Sequence, residues 1–266
     1  MERIDIKAIL EKRTGRKINP LAVWFLKRII HQDELNRIWD SGRNLDAKAF
    51  LRHTLRSLNT DFEVVHTAHI DPDERYIFVS NHPFGGLDGL MITEILCNMF
   101  DDVGVVVNDL LANVEPLRPL WIPVNLYGPQ HREGSGEYAC ALASESKQIL
   151  TFPAGFCSRR TGGQIADTAW KPRFIRDALL YDRKIVPVYV EGQLSDLFYN
   201  IHSLRKFFGI KTNLELVLLV DEMFRQRGRH IRIVLGAPVN IAKTEGSTSQ
   251  KCQYIRNSVY SLKNAL

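Results

Sequence analysis

Seven short runs of mostly apolar residues, rich in β-branched and aromatic types, recur between residues 62 and 235 and constrain the fold more than any other feature of the chain. They are Phe62 to His66, Tyr76 to Ser80, Val103 to Val107, Ile122 to Leu126, Gln148 to Phe152, Ile185 to Val190 and His230 to Leu235. Runs such as VGVVV and IVPVYV lack the polar/apolar alternation of a sheet with one wet face, so they suit strands covered on both faces. Leu87 to Phe100, Glu137 to Lys147 and Phe174 to Tyr181 carry helical patterns between them. Strands alternating with helices predict an α/β domain with a mostly parallel central sheet flanked by helices. Sites in such sheets gather beyond the C-terminal ends of the strands. The loops after residues 80, 152 and 190 are therefore the places to search.

Residues 1–58 read differently, as an N-terminal helical segment ahead of a domain spanning 59–266. Trp24, Phe25, Ile29, Leu35, Ile38 and Trp39 recur at spacings that fit one apolar face, with a break near Ser41-Gly42. Leu45, Ala49, Leu51, Leu55 and Leu58 mark a further helix ending at Asn59. Such faces build cores, but Trp24 and Phe25 beside Lys27 and Arg28 also fit a helix lying on a membrane surface. No stretch approaches eighteen consecutive apolar residues, so no conventional membrane span is expected. The N-terminus lacks the pattern of a secretory signal.

Cys97, Cys140, Cys157 and Cys252 stand far apart and form no C-x-x-C pair, as expected of reduced thiols in a cytoplasmic protein and not of a disulfide framework or zinc site. The net charge of +5 and pI of about 9.0 favour anionic partners. Among these, nucleic acid ranks below an acidic carrier protein or anionic lipid, because no RNA-binding aromatic motif, zinc finger or recognition-helix pattern is present.

The loop after residue 80 reads Asn81-His82-Pro83-Phe84-Gly85-Gly86-Leu87-Asp88. A neutral imidazole can take a proton from a hydroxyl while a carboxylate fixes its tautomer. Gly85 and Gly86 permit a tight turn and close substrate approach. The competing reading makes Asp88 a helix N-cap and His82 a strand-end residue. After residue 152 come Pro153, Gly155, Ser158, Arg159 and Arg160. Paired guanidinium groups beside a hydroxyl suit a phosphate or carboxylate. Lys171, Arg173 and Arg176 extend the basic patch. The alternative is a solvated basic turn paired with acids such as Asp167 and Asp177.

Together these stretches resemble the glycerolipid acyltransferase superfamily, typified by lysophosphatidic acid acyltransferases. Its first block, N-H-x4-D, corresponds to Asn81, His82 and Asp88. Its F-P-E-G-x-x-S-R block corresponds to the run from Phe152 to Arg159, and its V-P-V block to Val186-Pro187-Val188. The blocks occur in order over roughly residues 76 to 192. Two departures stand out. His82 and Asp88 are separated by five residues where the family has four, and Ala154 stands where the family has glutamate. The variant pattern is similar to that of enzymes acylating bacterial lyso-amino-acid lipids such as ornithine or glycine lipids.

The resemblance implies an O-acyltransferase that needs no cofactor or metal. Its acyl donor would be a thioester of acyl carrier protein or CoA, and its acceptor a lyso-lipid. His82 would be the general base and Asp88 its orienter. Asn81, Gly85, Gly86, Gly155, Ser158, Arg159, Arg160 and Lys171 would contact substrate. The protein would act on an anionic membrane surface, peripherally or monotopically, at the cytoplasmic face of a bacterial inner membrane. A lysophosphatidic acid acyltransferase, an amino-acid N-acyltransferase, a hydrolase and a catalytically silent lipid-binding protein are the other possibilities. Lesser candidates are Arg118, Trp121, Pro123 and Asn125 for pocket shape, His131-Arg132 for an anionic group, Trp170 as packing or interfacial, and the run RQRGRHIR (225–232) as an anion-attracting patch. The stretch from Ile201 to Phe224, with Leu204, Phe207, Phe208 and Lys211, reads as either a membrane-surface or a core segment.

Overall fold

A computed structural model describes residues 4–108, 114–124, 135–208 and 218–266. Asn125, His131-Arg132 and Lys211 lie outside the described residues. Four helices come first: α1 (Ile6–Thr14), α2 (Pro20–Ile29), α3 (Gln32–Ser41) and α4 (Ala47–Ser57). Then follow β1 (Asp61–His66), β2 (Tyr76–Ser80), α5 (Leu87–Met99), β3 (Val103–Asn108), β4 (Trp121–Val124), α6 (Ser135–Ala143) and β5 (Gln148–Thr151). After a short hairpin, β6 (Arg159–Thr161) and β7 (Gln164–Ala166), come α7 (Arg173–Leu180) and β8 (Lys184–Val190). The chain ends with α8 (Asp196–Phe207), α9 (Leu218–Arg225), β9 (His230–Leu235) and α10 (Thr248–Ser261).

All seven apolar runs join one sheet, in the order β1-β9-β8-β2-β5-β3-β4. Every pairing is parallel except β8 with β9. β2 lies between β8 and β5 and is buried along its whole length. Because side chains alternate along a strand, Tyr76 and Phe78 enter one core while Ile77 and Val79 enter the other. The first core is roofed by α4 and α5, with Leu51, Leu55, Leu87, Met91 and Leu96. The second is closed by α6, α7 and α10, with Leu142, Phe174, Ile175, Ile255 and Val259. Two buried faces explain why these strands lack polar alternation.

The N-terminal helices are fitted to this frame. Asp46 caps α4 by accepting the Ala49 N–H at 2.8 Å, and Phe50, Leu51, Leu55 and Leu58 then turn toward the sheet. Ile38 and Trp39 of α3 reach the same core. The predicted break at Ser41-Gly42 ends α3. A second break, between α2 and α3, comes from His31, whose φ of 48° lies in the left-handed region. Its ring stacks on Phe224 at 4.2 Å, and its Nε2 lies 2.9 Å from Asp221 Oδ1, which anchors the bend to α9.

One buried cation stitches the second face. Arg183 donates to the carbonyls of Leu142, Tyr76, Lys147, Ala141 and Ser144. Several of these are carbonyls at the C-terminal end of α6, where a cation offsets the negative end of the helix dipole. All four cysteines are free, and only Cys140 among them is exposed. Among the described residues no helix is long and apolar enough to cross a membrane, and no group of three or more His, Cys, Asp or Glu is arranged to hold a metal.

Candidate active site

The sheet order explains why the three loops belong together. β8, β2 and β5 are adjacent and parallel, so the segments after residues 190, 80 and 151 leave the same edge of the sheet. At the centre, His82 follows β2 directly. Its Nδ1 lies 3.1 Å from Asp88 Oδ1. The approach is too bent for a well-aligned hydrogen bond, although Nδ1 is sealed from solvent. Catalytic contacts commonly tighten only when substrate binds. The imidazole stacks on Phe152 at 4.1 Å, and the His82 side chain is 14% exposed against 0% for Asp88.

Asp88 is the second residue of α5 and not its N-cap, a position that Gly86 occupies. Its carboxylate accepts the Phe84 N–H at 2.9 Å through Oδ2 and the Gly89 N–H at 2.9 Å through Oδ1. A carboxylate in the first turn also suits the helix dipole. Between His82 and Asp88 the chain turns at Gly85, whose φ of 81° an L side chain rarely adopts. Among the described residues, a side chain at Gly86 would meet no atom within 4 Å. The same is true of Gly155, whose φ is 72°.

Burial is the largest single influence on His82, and it pulls the pKa of the imidazole down. The charge of Asp88, its contact with Nδ1 and the charge of Asp167 push the other way and outweigh both burial and the opposing charge of Arg159. The net effect holds His82 above its ordinary value. The free-base form, and any turnover that needs it, therefore appears only as pH rises through that elevated value.

Several residues read as substrate contacts are engaged within the protein. Asn81 uses both ends of its amide on Val190: Oδ1 accepts the backbone N–H at 2.8 Å and Nδ2 donates to the carbonyl at 2.9 Å. It thereby extends the β2–β8 pairing beyond the last strand residue. Ser158 donates its hydroxyl to Asp167 at 2.7 Å and its N–H to the His82 carbonyl at 2.8 Å. Arg159 is buried, donates to Cys157 and Ser158, and lies over the Phe198 ring at 5.1 Å. Arg160 pairs with Asp196 and stacks over Tyr199 at 5.0 Å. Lys171 is exposed, and its backbone N–H bonds to Pro153.

The remaining candidates resolve in the same way. Trp121 and Trp170 are buried, Trp170 in the second core, which corrects the interfacial reading of that residue. Arg118 is held by Glu137 and the Trp121 carbonyl. In the run 225–232, Arg225 pairs with Asp221, Arg227 with Glu34, Arg232 with Glu191 and His230 with Asp61. That run is accordingly a set of local ion pairs more than an open basic patch. The Asp167 carboxylate lies against the His82 backbone, whose N–H it accepts. No local sequence signal marked it, because its three donors come from separate loops. Phe152, the stacking partner of His82, was visible as the end of a strand and the start of the second block, not as a neighbour of His82.

Residues 7–266 match the Acyltransferase family, and the chain belongs to it. It is thus an enzyme of acyl transfer. Among its relatives are two proteins named lyso-glycine lipid O-acyltransferase. The one from Phocaeicola vulgatus is 37% identical over 266 residues, covering 97% of this chain and 95% of the relative. The one from Bacteroides thetaiotaomicron is 35% identical, covering 97% of each. The fold is similar to that of the 1-acyl-sn-glycerophosphate acyltransferase PlsC of Thermotoga maritima, with a TM-score of 0.51 at 13% identity over 96% of this chain and 88% of that one.

Proposed function

We propose that this acyltransferase moves a fatty acyl group from a thioester to the hydroxyl of a lyso-glycine lipid, with His82 as general base and Asp88 as its orienter. The observation that carries the chemistry is the His82–Asp88 pair at the end of the central strand, 3.1 Å apart and backed by Phe152. The headgroup rests on the names of the two relatives. In the step itself, His82 takes the hydroxyl proton through Nε2 as the oxygen attacks the thioester carbonyl. The C–O bond forms, the C–S bond breaks, and the departing thiolate recovers the proton from the imidazolium. No covalent acyl-enzyme is needed, because the thioester is already activated and alignment provides much of the rate. The donor is a thioester of acyl carrier protein or CoA.

The resembled family's second block is associated with a glycerol-phosphate acceptor, and the loss of its glutamate to Ala154 supports a different one. Ala154 is buried in the second core, where the family's glutamate would otherwise stand. Competition among lyso-glycine lipid, lyso-ornithine lipid and lysophosphatidic acid for one labelled donor tests the headgroup. The glycine acceptor should capture most of the label, and preference for lysophosphatidic acid would overturn the assignment.

On this reading the enzyme works at an anionic membrane surface, peripherally or monotopically, at the cytoplasmic face of a bacterial inner membrane. α2 exposes Leu21, Trp24 and Phe25, with Trp24 62% exposed beside Lys27 and Arg28; the end of α8 exposes Leu204, Phe207 and Phe208, with Phe207 82% exposed. Large apolar side chains flanked by cations suit an interfacial seat. Trp24→Ala/Phe25→Ala is expected to weaken sedimentation with vesicles containing phosphatidylglycerol about 10-fold or more. Unchanged sedimentation would place the contact elsewhere.

A further inference from the structure

The family match does not account for Asp167, a buried carboxylate with three side-chain or backbone donors from different parts of the chain. Oδ1 accepts the backbone N–H of His82 at 3.1 Å and the Ser158 hydroxyl at 2.7 Å, while Oδ2 accepts the Trp170 indole N–H at 2.9 Å. Behind it, α10 holds the Asp167 backbone: its N–H donates to the Tyr260 hydroxyl at 2.8 Å, and its carbonyl accepts from Arg256 at 3.2 Å. The Ser158 N–H returns to the His82 carbonyl at 2.8 Å. The backbone of the proposed base is therefore gripped on both its N–H and its C=O sides. Both grips lead to Asp167, one directly and one through Ser158.

We infer that Asp167 is a positioning residue for acyl transfer, clamping the His82 loop to the Ser158 loop and holding the imidazole at its reacting angle, and that it also sets the charge His82 experiences. This rests on the reading of His82 as the base. It assigns Ser158 to the clamp instead of to the acceptor. A buried carboxylate is costly unless its acceptor sites are filled, and all three donors here belong to the site or to the loop that follows it.

The charged groups acting on His82 are Asp88 from α5, Asp167 from the segment after β7 and Arg159 at the start of β6; the Cys157 thiol lies by Arg159 and Asp88. Asp167 is in turn faced by Arg256 and Tyr260 of α10. Both carboxylates raise the His82 pKa and Arg159 lowers it. Removing the charge of Asp167 while keeping its shape must therefore move the acid limb of the rate profile to lower pH. Loss of the clamp, by contrast, should lower kcat with little change in KM for the thioester, by up to about 10²-fold for a misplacement near 1 Å.

The experiment compares kcat/KM against pH, with labelled acyl-thioester and lyso-glycine lipid, for wild type, Asp167→Asn/Trp170→Phe, Asp167→Ala and His82→Ala. In the double variant the asparagine oxygen still accepts from His82 and Ser158, and phenylalanine removes the indole N–H that would otherwise face the new amide N–H. The acid limb should shift to lower pH in the double variant, and kcat should fall with KM held in Asp167→Ala. An unchanged limb in the folded double variant, or unchanged kcat in Asp167→Ala, overturns the assignment. Should neither fold, Ser158→Ala, which removes a single donor, is read for the same loss of kcat at constant KM; unchanged kcat there overturns the clamp. Wild type that transfers nothing, or His82→Ala that transfers as well as wild type, contradicts the acyl-transfer reading itself and is distinct from either failure of Asp167.

Discussion

Replacing His82 by alanine is expected to lower kcat by about 10²–10⁴-fold, the usual contribution of a positioned general base, with little change in thermal stability. The ring stacks on Phe152 and approaches Asp88. Asp88 keeps the Phe84 and Gly89 N–H donors when the ring is gone, so its buried charge is not left bare. The backbone of residue 82 keeps its bonds to Asp167 and Ser158. Activity and melting temperature measured on the same preparation separate a chemical role from a structural one. A collapse of melting temperature alongside activity would make His82 a structural residue.

Gly192→Ala is expected to produce the largest combined loss of stability and activity. Gly192 lies two residues past β8 with φ at 149°, and a Cβ added there would come within 2.0 Å of Phe84 Cζ. The positive φ costs a non-glycine residue about 1–3 kcal/mol, and forcing extra volume against a packed ring costs about 1–3 kcal/mol more. Phe84 is itself buried, and its N–H donates to Asp88. Any shift of the ring that relieves the overlap pulls on Asp88, the proposed orienter of His82. Calorimetry should register a fall in melting temperature, and the residual folded enzyme should show a reduced kcat. A variant with wild-type melting temperature and kcat would mean that Phe84 yields without moving Asp88.

The sheet and the loops that frame the candidate site were legible because both are encoded locally. Continuous apolar runs mark strands buried on two faces, and β2, β5 and β8 end in loops rich in glycine, proline and charge. Adjacency of those three strands was not legible, since strand order is set by long-range packing. The hairpin of β6 and β7 was also missed: three-residue strands carry too short a pattern. Helix α10 begins with a capping box formed by Ser247 and Gln250, a signal present in the sequence at residues 247–250 but unread. The arginines misled in a specific way. Charge near a strand end suggested an anion pocket, yet Arg159 is buried against Cys157 and Phe198. Arg160 is paired with Asp196 across 36 residues of chain. Asp167 is the converse case, a residue whose place beside His82 depends on bonds spanning 85 positions. The bend at His31 likewise depends on Asp221 and Phe224, which are remote in sequence.

The most direct test is a single product analysis. Wild-type enzyme, a labelled acyl thioester and vesicles carrying either lyso-glycine lipid or its analogue lacking the acceptor hydroxyl are incubated together, and the label is traced by mass spectrometry. The expected result is label in an alkali-labile ester of the hydroxylated acceptor and none in the deoxy analogue. Label released as free fatty acid regardless of acceptor, or transferred equally to the deoxy lipid, would contradict O-acyl transfer to a lyso-lipid hydroxyl.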